Sequence, residues 1–337
     1  MDKNQGELSL IRLIRKRFPK KRKEILKGIG DDAMVFRNGF VISTDSFFEN
    51  IHFDLKYFSM YALGCHTMAA SLSDLAAMGA LPVCCLVSLN LTKYIGVKDI
   101  EQLYNGFEKM AKRYKFDIAG GDVVTSPGFG MTITVIGRTR KSLMRSGAKP
   151  GQALFITNFL GLAEVGRSVL KYNLPQKEYQ DAVNKHLFPE PRINEAQSIQ
   201  QYATSCIDTS DGLSTDAIHL AEESRVKIVI DSEHIPIHSE VGEFCSIKKI
   251  DPLQFILSAG EDFELLFTAR RLPGDKFQVP RTKNQNSRTK NQETRTKKQG
   301  PKLKIFKIGR VMKGRGVYVS ERGKEKRIEP TGYEHLM

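Results

Sequence analysis

Six short stretches of the chain join an acidic residue to glycine, serine or threonine beside an apolar run. They are Gly28-Ile29-Gly30-Asp31-Asp32, Ser43-Thr44-Asp45, Ser73-Asp74 within 73–80, Gly120-Gly121-Asp122, Asp208-Thr209-Ser210-Asp211-Gly212 and Gly260-Glu261-Asp262-Phe263-Glu264. Carboxylates at tight turns beside buried elements suit hard cations such as Mg²⁺, which take oxygen ligands and bridge phosphates. Singly, each has a plainer reading. Asp32 and Asp211 sit in glycine-containing turns, where aspartate is common without function. Asp45 closes an apolar strand and could cap the segment after it, and Asp122 after two glycines reads as a turn. Asp74 lies among Ala69, Ala70, Leu72, Leu75, Ala76, Ala77 and Met78. A carboxylate there needs a cation or several donors, with an N-cap after Ser73 as the alternative. Together the aspartates point to a magnesium-phosphate site.

Alternating elements must position them. Strand-like runs cover 40–44, 83–89, 131–136, 153–157, 226–230 and 264–268, and helical periodicity covers 60–79, 97–115, 161–171 and 213–224. Leu8, Ile11, Ile14 and Phe18 recur at helical spacing, which predicts a helix with one packed and one charged face. Lys149-Pro150-Gly151 breaks the pattern before a new strand. The expectation is two domains, 1–148 and 149–337, each α/β or α+β.

Composition bounds the rest. The chain has 337 residues, 40% hydrophobic and 27% charged, which reads as globular protein. No run of 18 apolar residues predicts a membrane span, and Met1 to Glu7 lacks a signal pattern. Five cysteines without a CxxC pair argue against a disulfide framework or a zinc site and predict a reducing cytoplasm. The net charge of +14 is local: 11–27 contributes +8 and 281–299 contributes +6, leaving a neutral body. The second run repeats Arg-Thr-Lys-Asn-Gln with a period of seven and no apolar position, so it predicts a disordered basic insertion rather than a coiled coil. Nucleic-acid binding is thereby disfavoured, although a basic nucleic-acid-binding protein stays as the rival of a different class. GxxxxGK[ST], HRD and DFG are all missing, which excludes P-loop and protein-kinase machinery. Gly28-Ile29-Gly30-Asp31-Asp32-Ala33 imitates a dinucleotide fingerprint but follows a basic stretch, not an apolar strand.

The order and spacing of the motifs resemble the thiamine-monophosphate kinase family, of the superfamily that includes aminoimidazole ribonucleotide synthetase and selenide water dikinase. The resemblance runs from about Gly28 to Tyr333. It adds His52-Phe53, Arg145-Ser146-Gly147-Ala148-Lys149-Pro150-Gly151 and Ile207 to Leu213 to the stretches above. It implies that Asp32, Ser43, Thr44, Asp45, Asp74, Asp122, Asp208 and Asp211 hold several Mg²⁺ ions. Gly121, Asp122, Arg145 and Ser210 would contact ATP, with Tyr104 beside them. His52, Glu261 and Tyr333 would contact thiamine monophosphate, and Asp45, Asp74, Asp122 and Arg145 would serve the transfer itself. The implied architecture is an N-terminal mixed sheet that pairs across a homodimer and a C-terminal βα sandwich. Val123 and Val124 stand where the family has two threonines, and the insertion at 281–299 is foreign to it.

The implied reaction moves the γ-phosphoryl of ATP onto a phosphate monoester whose second pKa is near ~6. That nucleophile is already an anion at neutral pH, so no catalytic base is needed. The obstacle is repulsion, roughly 4 kcal/mol for unit charges ~4 Å apart at an effective dielectric of ~20. Metal ions and a fixed guanidinium address it. Glu261 or Asp262 would balance the thiazolium cation. An ATP-using enzyme of the same superfamily with another acceptor is the nearer rival.

Overall fold

The computed structural model describes residues 7–273, 277–278 and 303–332; the basic insertion at 281–299 and Tyr333 lie outside the described residues. In chain order the first half runs α1 (Glu7–Arg17), β1 (Ile25–Lys27), β2 (Met34–Phe36), β3 (Phe40–Phe48), α2 (Met60–Ala77), β4 (Leu81–Leu91), α3 (Val97–Tyr114), β5 (Asp117–Thr125) and β6 (Gly130–Arg138). Its strands form one sheet in the order β1-β2-β3-β6-β4-β5, antiparallel except for β4 beside β5. The second half runs β7 (Ala153–Thr157), α4 (Leu162–Lys171), α5 (Gln180–Leu187), α6 (Ile193–Ile199), β8 (Ala203–Asp208), α7 (Leu213–Ser224), β9 (Lys227–Asp231), α8 (Ser239–Lys248), α9 (Pro252–Ser258), β10 (Leu265–Ala269), β11 (Phe277–Gln278), β12 (Leu303–Met312), β13 (Gly316–Glu321) and β14 (Lys324–Ile328). Its sheet has the order β14-β13-β9-β12-β7-β10-β8, with β11 alongside β12.

Strand chemistry explains the layering. β7 reads Ala-Leu-Phe-Ile-Thr, apolar on both faces, as a strand covered on both sides must. Leu154 and Ile156 enter a core with Leu220 and Phe244, under α7 and α8. Phe155 faces the other way, stacks on Phe267 with ring centroids 5.4 Å apart, and joins the core that contains α2. Helix α2 is therefore held between the two sheets. Fourteen of its residues are buried, so it is buried all round rather than amphipathic. Ser59 caps its start by accepting from the Ala62 amide at 3.1 Å.

The periodic segments fold as the sequence predicts, each within a few residues. Three placements differ. Gly120-Gly121-Asp122 lies inside strand β5, not in a turn. Asp45 is followed by three more residues of β3 and caps nothing, and Asp74 lies in the last turn of α2 rather than at an N-cap. The apolar face of α1 does not pack: Ile11, Leu13, Ile14 and Phe18 stay exposed. Ion pairs dock that helix instead, Arg12 to Glu222 at 3.0 Å and Arg15 to Glu223, both on α7.

Backbone contact between α2 and α3 fixes where Asp74 comes to rest. A Cβ on Gly64 would stand 2.2 Å from the Leu103 carbonyl oxygen, and one on Gly106 would stand 2.3 Å from that of Tyr61. Gly106→Ala forces the helices apart, with an expected loss of about 1–3 kcal/mol. A denaturant melt reads it, and an unchanged midpoint would mean the helices do not touch here.

Candidate active site

The α2 helix carries Ser71, Ser73 and Asp74 into the space between the sheets, where they meet groups from β3 and β8. Ser73 Oγ donates to Asp208 Oδ2 at 2.6 Å, at the end of β8. Ser43 Oγ on β3 reaches Asp74 Oδ2 and, at 3.2 Å, the Asp32 carbonyl oxygen. Ser71 Oγ donates to the Thr67 carbonyl oxygen at 3.1 Å and lies near Asp45, two residues along the same face of β3. Carboxylate oxygens of Asp32, Asp74 and Asp208 all lie within 4.8 Å of one another. Asp211 adds its charge to that of Asp208.

One cation answers this cluster from the chain itself. Arg145 donates to Asp32 Oδ1 through Nε at 3.0 Å and Nη2 at 2.6 Å, while its amide donates to Asp31 Oδ1 at 2.9 Å. Lys27 lies 3.1 Å from Asp31 Oδ2. The balance remains negative, and the carboxyls respond. Burial raises Asp32 to about 7 despite Arg145, with Asp208 and Asp31 adding repulsion. Burial lifts Asp45 and Asp208 to about 6. Asp74 is pushed well above the ordinary range by burial and by Asp45, Asp208 and Asp32. Asp32 Oδ2 and Asp45 Oδ2 are buried without a hydrogen-bond partner. All-oxygen donors, several negative charges and orphaned carboxylate oxygens fit a hard divalent cation.

The other expected residues divide. Backbone bonds lay two motifs side by side: Thr209 N to Glu264 O at 2.8 Å, Phe263 N to Thr209 O at 2.9 Å and Glu261 N to Ser210 O at 2.9 Å. Ser210 and Glu261 thus border the aspartate cluster. Glu261 lies near His186, Arg167 and Glu164, and burial raises its carboxyl to about 7. Asp262 is not free to balance a substrate cation; it caps α4, accepting from Gly161 N at 2.5 Å and Ala163 N at 3.1 Å. His52 accepts from the Phe48 amide at 3.0 Å and packs edge-on to Phe47. The ring is thereby packed and hydrogen-bonded beside the end of β3.

Thr44, Tyr104, Gly121 and Asp122 are not brought to the cluster. The Thr44 hydroxyl points to the opposite face of β3, where it pairs with Thr134 at 3.0 Å. Tyr104 packs edge-on against Phe107 on α3. Asp122 opposes Ser88, which opposes Thr132, which opposes Ser46. Opposed residues share a sheet face, so Asp122 lies on the Ser46 face, three strands or roughly 14 Å from β3. Sequence reasoning missed Ser71, Ser73, Asp31 and Lys27. Two serines in an otherwise apolar buried helix were the available signal for the first pair.

Comparison with known proteins places this arrangement. The AIR synthase related protein N-terminal domain matches residues 30–139, the segment that carries Asp32, Asp45 and Asp74. The thiamine-monophosphate kinase of Aquifex aeolicus is 32% identical over 99% of both chains. That of Bacillus subtilis is 34% identical over 72% of this chain and 77% of its own. The solved complex of AaThiL with AMPPCP and TMP superposes with a TM-score of 0.83 at 32% identity, covering 99% of this chain and 98% of that one. The chain belongs to the thiamine-monophosphate kinase family.

The raised carboxyls set a pH dependence. Asp32, Asp45 and Asp208 titrate near 3.8 when unfolded and about 6 to 7 when folded. Between about pH 4 and pH 7 the folded state therefore holds more protons, and metal-free stability falls as pH rises through that window. A bound divalent cation removes this penalty, so the gain in melting temperature with millimolar MgCl₂ should be larger at pH 8 than at pH 5. An equal or absent gain at pH 8 would show that the carboxylates do not share a cation.

Proposed function

We propose that this protein phosphorylates thiamine monophosphate to thiamine diphosphate with ATP, by direct transfer at the Asp32–Asp45–Asp74–Asp208 cluster. The observation that carries it is that cluster itself, four buried carboxylates from four elements, in a chain whose full-length relatives bear that name. Asp32, Asp45, Asp74, Asp208 and Asp211, with the Ser43 hydroxyl, are the residues that would hold Mg²⁺. Bound there, the ions supply neutralisation of the phosphate charge that develops during transfer.

The chain's own residues do the rest. The Arg145 guanidinium offers a fixed fork beside the cluster, while Asp32 keeps it in place. Ser210 stands over the nucleotide side of the cluster, and Glu261 faces the cationic ring of the acceptor. No general base is required, since the acceptor phosphate is an anion at neutral pH. The five cysteines are free, which fits a reducing cytoplasm, and no described helix is long and apolar enough to cross a membrane.

The remaining nucleotide contacts come from a second copy. β5 is a sheet edge on which every residue except Ile118 is exposed, including Val123 and Val124. Such an open edge with apolar side chains is a surface for pairing. A homodimer across this region brings Tyr104, Gly121 and Asp122 of one copy to the aspartate cluster of the other.

Purified protein with ATP, MgCl₂ and thiamine monophosphate should form the diphosphate, and Asp74→Asn should lose it; no diphosphate from wild type with ATP still bound would reopen the acceptor. Asp74→Asn and Asp122→Asn homodimers should each be inactive. Refolded together in equal amounts, half the dimers are mixed and each has one intact site, so about a quarter of wild-type activity should return. No recovery from dimers shown to be mixed would place both aspartates in a single chain's site.

A further inference from the structure

His186 in the last turn of α5 is buried, and neither ring nitrogen has a hydrogen-bond partner. Its neighbour His66 differs: Nδ1 of that ring bonds the His186 carbonyl oxygen at 2.6 Å. Buried polar atoms without partners cost stability, and a phenylalanine would fill the same slot without that cost. The slot is aromatic, with the rings of Tyr57, Phe58 and His66 centred 5.9, 5.2 and 5.5 Å from that of His186. A core function alone leaves the imidazole unexplained.

One polar group faces it. Nδ1 of His186 is 3.7 Å from Glu261 Oε2, just beyond hydrogen-bond length. Glu261 adopts a left-handed backbone at φ 61° between Gly260 and Asp262, so its carboxylate is aimed by the main chain. Arg167 is near but commits its fork to Glu164, with bonds of 2.6 and 2.7 Å. Among the described residues, His186 is thus an uncommitted donor within reach of Glu261. Burial, His66 and Arg167 together keep the imidazole neutral, so it carries one N–H and no charge.

We infer that His186 is a positioning residue for the acceptor: its ring N–H fixes the Glu261 carboxylate against the thiazolium cation of thiamine monophosphate. This rests on the kinase reading above. A neutral donor suits the task. It orients the carboxylate without cancelling the negative charge that attracts the cationic ring, as a lysine or arginine would. The 3.7 Å separation closes by a side-chain rotation of Glu261 when the ring arrives.

The test is steady-state kinetics of His186→Phe, which keeps the aromatic packing and removes the donor. The KM for thiamine monophosphate should rise about tenfold, the loss of one hydrogen bond to a charged group, with the KM for ATP unchanged. The thermal melt should match wild type or exceed it. His186→Asn places an amide N–H close to the position of Nδ1 and should recover most of the affinity. On a Glu261→Gln background His186→Phe should add little, because the two act as a unit. A Phe variant with KM for thiamine monophosphate within about twofold of wild type would overturn the inference, as would an Asn variant no better than Phe. Wild-type protein that forms no diphosphate would instead overturn the kinase reading, and this inference with it.

Discussion

Four buried carboxylates cannot all stay charged in a space this small, and the rest of the molecule is arranged around that constraint. Unit charges ~4 Å apart at an effective dielectric of ~20 repel by about 4 kcal/mol per pair. Asp74 bears most of it, because it sits in the last turn of α2, where the helix dipole also disfavours an anion. The fold accepts this position because α2 lies against both sheets, touching β3, β4 and β6 of one and β8 of the other. From there Ser43 and Asp45 of β3, Asp208 of β8 and the Asp31-Asp32 turn can all reach the same few ångströms. Serine hydroxyls blunt the repulsion by donating to Asp74 and Asp208, and Arg145 blunts it at Asp32. The cluster is tolerable in the absence of metal but not satisfied.

The stretch Gly260 to Glu264 shows how neighbouring acidic residues acquire different tasks. Glu264 is fully buried and fully answered: Thr157 at 2.7 Å, Lys185 at 2.6 Å and Arg192 at 2.6 and 2.5 Å hold its carboxyl below the ordinary range. Removing both cations would leave an uncompensated buried charge, so this network locks α5 and the start of α6 to β10. Asp262 uses both oxygens on the amides that open α4. Glu261 is the one of the three whose carboxylate has no committed donor. Charge alone does not distinguish them; the backbone does, since the left-handed turns at Glu261 and Phe263 send alternate side chains to the cleft and the interior.

Most of the scaffold was legible because its periodicities are local. The alternation over 40–48 and 130–138, the 3.6-residue pattern of α3, and the doubly apolar run of β7 are each set by the face or faces they bury. Legibility failed where the deciding contact is non-local. Asp122 reads as a turn residue after two glycines, yet those glycines serve close strand approach: a Cβ on Gly121 would lie 1.7 Å from the Val87 carbonyl oxygen. The spacing of α1 promises a packed apolar face, and nothing in the pattern reveals that Glu222 and Glu223, two hundred residues away, would anchor it by charge instead. Asp262 and Glu261 were interchangeable on paper because capping and aiming depend on which amides come near.

The division of the expected site between two sheet faces follows from strand parity rather than from distance alone. Ser43 and Asp45 project toward α2 because they alternate with Thr44 and Ser46, which project away. Asp122, in register with Ser88, Thr132 and Ser46, belongs to that second face. A slip of one residue would be needed to turn it round, and that would send Gly121 and its neighbours out of their close fit against β4. The outer face instead carries hydroxyl pairs, Thr44 with Thr134 and Ser46 with Thr132, and ends in an open edge. A single chain therefore presents the clustered carboxylates on one side of its sheet and the glycine-rich strand on the other. Rotating side chains does not reconcile them; the proposed pairing of two chains would.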